Sequence, residues 1–297
     1  MKLSIWFRET RPGFLLLTPI TFSVGMVVAF AEGSFDILSA LLGLVGALLA
    51  HLSVNVLNDY FDYRSGLDLR TRRTPFSGGS GILPKGLLKP KDAYLFAIGC
   101  MLIGGVIGVY FALTRGWMLL PLIAVVAFTI YFYSTHLTHW FVGEVFAGLG
   151  FGPLMVLGGY FIQTGRYSIP ALATGVVPGI LVGTLLFLNE FPDVEADRST
   201  GRRNLVIALG LAISAKIYVL LIASVYTWIA LCVLVGLMPA TTLIAFLTIP
   251  LALRATRATL EHHSDIEMLI PAMGANVMLV LSGTGMTSIG IFLSKFL

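Results

Sequence analysis

Asparagine and aspartate gather twice in this chain, each time at the end of a long apolar run. The first cluster is Asn58-Asp59-Tyr60-Phe61-Asp62 with Asp68 beyond it, and the second is Asn189-Glu190-Phe191-Pro192-Asp193 with Asp197 beyond it. An ionised carboxylate at the edge of hydrocarbon is costly unless a metal, a basic partner or a water-filled cavity receives it. Two clusters built alike point to one shared site for a divalent cation and a polyanionic ligand. Mg2+ suits the inventory, because it takes hard oxygen ligands, keeps several waters and is usually held by a few carboxylates together with substrate phosphates.

A second polar feature precedes the first cluster. His51, Asn55, Asn58 and Asp62 recur at spacings of four, three and four, which aligns them on one face of a helix. That face is polar deep into an apolar segment, either to hydrogen-bond a neighbouring helix or to touch a ligand. Gly66 is expected to break the helix and let Asp68 fold back toward Asp62. No zinc site is expected: His262-His263 reads as a loop pair, and His136 and His139 as interfacial residues. The glycine-rich Ser77-Gly78-Gly79-Ser80-Gly81 lacks the Gly-Lys-Ser/Thr ending that cradles a nucleotide.

The elements that carry these residues must lie in a bilayer. The 297 residues are 57% hydrophobic and 11% charged, against about 45–50% and about 25% in soluble domains. Nine apolar runs are legible, at 12–30, 36–58, 93–113, 117–134, 141–163, 169–189, 212–235, 237–253 and 268–294. The eighth is the shortest and is flanked by Pro239 and Pro250. Of the 19 Lys and Arg, all but Arg115, Arg166, Lys295 and the mid-span Lys216 fall on one side, Lys2 among them. The positive-inside rule makes that side cytoplasmic, with the N-terminus inside. Lys2 to Arg11, the apolar stretch and Ala29-Phe30-Ala31 also resemble a signal peptide, and the expectation is a retained first span. The formal charge of +4 is small, and no nucleic-acid partner is expected. Cys100 and Cys232 lie in separate runs, so no disulfide framework follows.

The expected fold is an all-α, polytopic integral membrane protein with nine transmembrane helices around a central cavity. It forms a single domain over residues 1–297. Both acidic clusters fall at cytoplasmic span ends with four spans between them, so the halves, about 1–140 and 141–297, read as a parallel internal repeat with the site between them. The longest connection, residues 59–92, reads as a cytoplasmic loop.

The pattern Asn-Asp-x-x-Asp plus a further Asp, matched by an Asp-x-x-x-Asp cluster after the sixth run, resembles the UbiA superfamily of intramembrane prenyltransferases. Asn55 before Asn58-Asp59-Tyr60, the five residues between Asp62 and Asp68, Gly143-Glu144 through Phe151-Gly152-Pro153, and Gln163-Thr164-Gly165 are similar to its MenA type, the 1,4-dihydroxy-2-naphthoate prenyltransferases. The resemblance implies that Asp62, Asp68, Asp193 and Asp197 hold Mg2+ ions that grip a prenyl diphosphate, with Asn58 and Asn189 as auxiliary ligands. It implies that some of Arg72, Arg73, Lys85, Arg202 and Arg203 neutralise the diphosphate, although positive-inside anchoring would also explain each. His51, Asn55, Tyr133, Ser134 and Glu144 are candidates for the acceptor region.

On that reading the chemistry is electrostatic. Diphosphate departs as a charge-stabilised anion, and an electron-rich ring attacks the allylic cation in a cavity closed to water. Two other functions stay open on the sequence: prenyl transfer to a glycerol-phosphate ether, and cation-coupled transport. The expected location is the plasma membrane, with the site opening to the cytoplasm.

Overall fold

The computed structural model describes residues 3–297, whose regular elements are all helices, with no strand among them. Lys2, counted above on the cytoplasmic side, lies outside the described residues. A short helix, α1 (Leu3–Glu9), precedes α2 (Pro12–Ala31), α3 (Ile37–Ser65), α4 (Pro90–Arg115), α5 (Trp117–Phe132), α6 (Gly143–Thr164) and α7 (Ile169–Asn189). Two short helices, α8 (Val194–Ser199) and α9 (Leu205–Leu209), lead to α10 (Leu211–Leu234), α11 (Ala240–His262) and α12 (Ile266–Leu293).

Eight of these helices are long and apolar enough to cross a membrane, and the chain is a multi-pass membrane protein. The run at 117–134 forms only the shorter apolar helix α5. The run flanked by Pro239 and Pro250 is instead among the full-length eight. Its first part, Ala240–Thr248, winds as a tighter 3-10 helix, and Pro250 sits in the first turn of the α-helical part, where no intrahelical N–H is required. The helix continues to His262, so that residue ends a helix rather than lying in a loop.

α3 outruns its apolar stretch. It starts at Asp36, whose side chain accepts from Ser39 N, and continues through the first acidic cluster because Tyr60, Phe61 and Tyr63 pack on an apolar cluster beside α4. Gly66 stops it in the left-handed region, at φ 79°. The next turn, Leu67–Leu69, turns Asp68 inward to a buried position.

α7 is the most buried of the eight. It meets α6 through small residues: a Cβ on Gly175 would lie 3.0 Å from Pro153 Cα, and Gly152 rests on the Gly179 backbone. Such contact lets helices approach closely in lipid. Pro153 sits within a widened turn of α6, Gly150–Leu154. This packing fixes the end of α7, and with it Asn189, opposite the end of α3.

Candidate functional site

Where α3 and α7 end, a polar chamber of about 100 Å³ opens, lined by residues of both acidic clusters. α3 supplies Asn58 and Asp62, and the turn after it supplies Asp68. Asn189, Asp193 and Asp197 come from the end of α7 and the segment beyond. Local geometry aims each group. Asn58 donates to Asp62 Oδ2 at 3.0 Å and to Ser134 Oγ at 2.9 Å. Asp193 begins α8, and Ser77 Oγ donates to its Oδ1 at 3.4 Å. Asn204 donates to Asp197 Oδ2 at 2.9 Å while capping α9. Arg202 N donates to Asp197 O at 3.0 Å, which turns that segment back over the chamber. The Arg202 guanidinium then pairs with Asp62 and lies 3.6 Å from Asp197.

Burial and crowding raise several of these carboxyls above the usual carboxylate range. Burial, with Asp59 and Asp62 adding, pushes Asp68 up to about 8. Burial and the neighbouring Asp197 push Asp193 up to about 7, and burial, opposed by Arg202, leaves Asp197 at about 6. Glu190 is raised by burial and by the neighbouring Glu144. For Arg202, burial favours the neutral form but Asp62 and Asp197 outweigh it, so the guanidinium is held firmly charged.

The chamber suits divalent cations. Asp68 Oδ2, Asn189 Oδ1, Glu190 Oε2 and Asp197 Oδ1 are buried without a hydrogen-bond partner, and such oxygens call for an explanation. Among the described residues no three His, Cys, Asp or Glu side chains converge closely enough to cage an ion by themselves. Mg2+ does not ask for that, since it commonly takes one or two carboxylates and completes its shell with water and substrate phosphate.

A second chamber, apolar and about 340 Å³, continues from the first into the membrane, within the range of small-molecule sites. Arg11, Asn58, Tyr133, Leu186 and Asn189 line both chambers. His51 and Asn55 line the apolar one. The His51 Nδ1 is 2.7 Å from Thr18 Oγ1, and the ring meets Phe151 edge-on at 4.5 Å. Asn55 donates to Thr10 O at 3.1 Å.

Several of the residues expected at the site do not line the polar chamber. Arg72 is exposed and pairs with Glu267 at 2.8 Å. Arg73 turns back on its own loop, donating to Gly78 O and Asp68 O. Lys85 and Arg203 point outward from exposed positions. Of the five cations proposed for diphosphate, only Arg202 lines the polar chamber. Tyr133 lines both chambers, but Ser134 stands behind Asn58 and Glu144 behind Glu190, where it accepts from Leu205 N at 3.2 Å.

The structure adds residues that the sequence did not single out. Arg11, with φ 54° and ψ 60°, is a non-glycine residue in the left-handed region, an uncommon state that clusters at functional sites. It donates to Asn58 Oδ1 at 3.4 Å and lies 3.8 Å from Asp59. Glu9 and Asp59 are buried and share Ser80: Asp59 accepts from its N and Glu9 from its Oγ, both at 2.8 Å. Gly79, at φ +71°, fits here because a Cβ would come 3.0 Å from Asp68 Oδ1. In sequence, Arg11 reads as ordinary positive-inside charge, and only its place before Pro12 distinguishes it.

A membrane protein with an acidic head chamber opening into a deep apolar one is built for an amphipathic polyanion. Residues 17–279 match the model of the UbiA prenyltransferase family. The chain belongs to that family and is a prenyltransferase. It is 28% identical over 296 residues to the 1,4-dihydroxy-2-naphthoate octaprenyltransferase of Bacillus subtilis, covering 98% of this chain and 93% of the relative. The apo structure of a UbiA homolog from Aeropyrum pernix superposes with a TM-score of 0.69 at 14% identity, covering 93% of this chain and 97% of that one. A UbiA homolog from Archaeoglobus fulgidus, bound to DMAPP and Mg2+, superposes with a TM-score of 0.64 at 17% identity over 96% and 99%.

Proposed function

We propose that the chain moves an isoprenoid group from a prenyl diphosphate to an aromatic acceptor of the 1,4-dihydroxy-2-naphthoate type, in quinone synthesis. One observation carries the donor half: the carboxylate-lined chamber and the apolar chamber are continuous and share Asn58, Tyr133 and Asn189 at their boundary. A diphosphate head fits one, its tail fits the other, and the bond that breaks lies between them. The naphthoate-type acceptor is supported by the name of the Bacillus subtilis relative.

Asp62 and Asp68 from one side and Asp193 and Asp197 from the other would hold Mg2+, with Asn58 and Asn189 assisting. Bound there, Mg2+ supplies Lewis-acid neutralisation of the leaving diphosphate. Arg202 contributes a fixed charge to the same oxygens. The apolar wall excludes water from the allylic cation, which the acceptor ring attacks from the His51 side of the boundary. The C–O bond to diphosphate breaks, a C–C bond forms, and the ring then sheds a proton, or its carboxyl group as CO2, to restore aromaticity.

In this reading α5 makes a ninth crossing, and the chain is one domain whose halves, about 1–140 and 141–297, form a parallel repeat. The convergence of the α3 and α7 ends on one chamber supports that arrangement. The site faces the cytoplasm across the plasma membrane, as the distribution of Lys and Arg supports.

The test is a panel of prenyl diphosphates and Mg2+ against dihydroxynaphthoate, hydroxybenzoate and glycerol-phosphate ether acceptors, with products read by mass spectrometry. Prenylated naphthoate product is the expected result. Transfer only to the ether would replace the acceptor assignment.

A further inference from the structure

Glu9 closes α1 with its side chain fully buried, where a carboxyl is costly to place without hydrogen bonds. It stands outside the lining of the polar chamber, and the reaction as drawn above gives it no direct part. Its partner is the glycine-rich loop. Ser80 Oγ donates to Glu9 Oε2 at 2.8 Å, while Ser80 N donates to Asp59 Oδ2 at 2.8 Å. The same hydroxyl accepts from Ile82 N at 3.1 Å. One serine is thus held between α1 and α3.

The loop needs such a tether. Gly78, Gly79 and Gly81 all take positive φ, at 86°, 71° and 73°, and glycine loses more freedom than any other residue when it is ordered. After Ser80 the chain is fixed by the buried Ile82 and Leu83. Before it, Ser77 Oγ reaches Asp193 of the second acidic cluster at 3.4 Å. Between the two serines, Gly79 lies against the first cluster: a Cβ there would stand 3.0 Å from Asp68 Oδ1 and 3.2 Å from Asp59 Oδ1. The loop therefore touches both clusters, and where it lies decides how Asp68 is placed.

We infer that Glu9 is a positioning residue: by holding Ser80 it fixes the glycine-rich loop across the two acidic clusters and sets how tightly the chamber takes up its divalent cations. The inference rests on the prenyl diphosphate reading above. A leucine of similar size would fill the same place without the desolvation of a carboxyl. It would also leave the Ser80 hydroxyl without its acceptor and the loop untied from α1.

The experiment uses the intact protein in lipid nanodiscs with a non-transferable geranyl thiodiphosphate analogue. Mn2+ replaces Mg2+, and its free concentration is read from the electron paramagnetic resonance signal. Glu9→Leu and Ser80→Ala should each raise the Mn2+ concentration for half-saturation by at least about fivefold, the scale for one buried hydrogen bond. The double variant should bind no more weakly than the worse single one, because both substitutions remove the same link. Glu9→Gln keeps an oxygen that accepts from Ser80 Oγ and should stay within about twofold of the unmodified chain. Unchanged Mn2+ binding in either Glu9→Leu or Ser80→Ala, or equal weakening by Glu9→Gln and Glu9→Leu, overturns the inference while leaving the cation site standing. Should Glu9→Leu lose its melting transition, Ser80→Ala decides alone, since it removes one oxygen and keeps the main-chain bond to Asp59. Absence of Mn2+ binding to the unmodified chain in the presence of the analogue overturns the metal and diphosphate reading itself, and the inference with it.

Discussion

Asp62 and Asp197 share one guanidinium. They come from opposite acidic clusters, and Arg202 pairs with Asp62 while lying 3.6 Å from Asp197. A buried cation between two carboxylates keeps the cluster ends together before any ligand arrives. In the proposed reaction divalent ions would take up carboxylate charge, and the same fork would then be free to turn to a diphosphate oxygen. Removing it should therefore weaken both the empty and the loaded site. Arg202→Gln is expected to lower kcat/KM by about thirtyfold or more, the scale for truncating one partner of a buried charge pair. Arg202→Lys should fall between, because an ammonium lacks the two-pronged geometry. Wild-type kinetics in the Gln variant would remove Arg202 from the site.

The carboxylates separate metal from packing roles. Asp62→Ala and Asp193→Ala should each abolish most turnover while the protein still inserts and purifies, and EDTA should abolish donor binding in the unmodified chain. Tight donor binding in chelator, measured by equilibrium displacement, would exclude the two-cluster cation site.

Protonation gives a test without turnover. Burial holds Asp68 at about 8, Asp193 at about 7 and Asp197 at about 6, whereas an unfolded Asp titrates near about 3.9. The folded, metal-free chain thus binds more protons than the unfolded one across that window. The stability that these three groups contribute is fully present below about pH 4 and is lost as pH rises through about 8. Cations compete with those protons, so stabilisation by Mg2+ should grow over the same interval. Melting temperatures in EDTA and in Mg2+, compared at about pH 6 and about pH 8.5, should diverge. An identical Mg2+ shift at both values would contradict this titration.

His51 tests the acceptor end. Its Nδ1 is engaged by Thr18 and its ring by Phe151, within the wall of the apolar chamber. His51→Ala is expected to raise the acceptor KM or lower turnover while donor affinity stays within about threefold, roughly 0.65 kcal/mol. A lowered melting temperature with unchanged acceptor kinetics would make His51 a helix-bridging residue only.

The orientation proposed from charge bias is open to labelling. Single cysteines at Lys85, Arg198 and Ser264, all exposed, should react from the cytoplasmic side, and one at Arg166 only from the other. Opposite accessibility at 85 and 198 would put the two clusters on different faces of the membrane.

The sequence revealed the ends of α3 and α7 because Asp is rare at the edge of hydrocarbon, and it revealed the stop at Gly66 because glycine permits the left-handed turn seen there. It did not reveal which cations face the chamber. Arg72, Arg73, Lys85 and Arg203 share with Arg202 the positive charge that any cytoplasmic loop carries. Only the main-chain turn from Asp197 to Arg202 singles the last one out. Arg11 was hidden for the same reason. Hydropathy likewise could not tell α5, which forms a shorter helix, from the run near Pro239, which forms a full-length one, because α11 continues beyond its apolar run through Arg254 and Arg257 to His262.

The boundary at Asn58, Tyr133 and Asn189, where the two chambers meet, also bears on how products leave. Before reaction, one molecule is anchored by charge on one side of that line and by hydrocarbon on the other. In the proposed reaction, once the bond across it breaks, the charged fragment belongs to water and the prenylated acceptor to lipid. Neither product retains both anchors, so the departing pair separates into two solvents, and the site is cleared by partitioning.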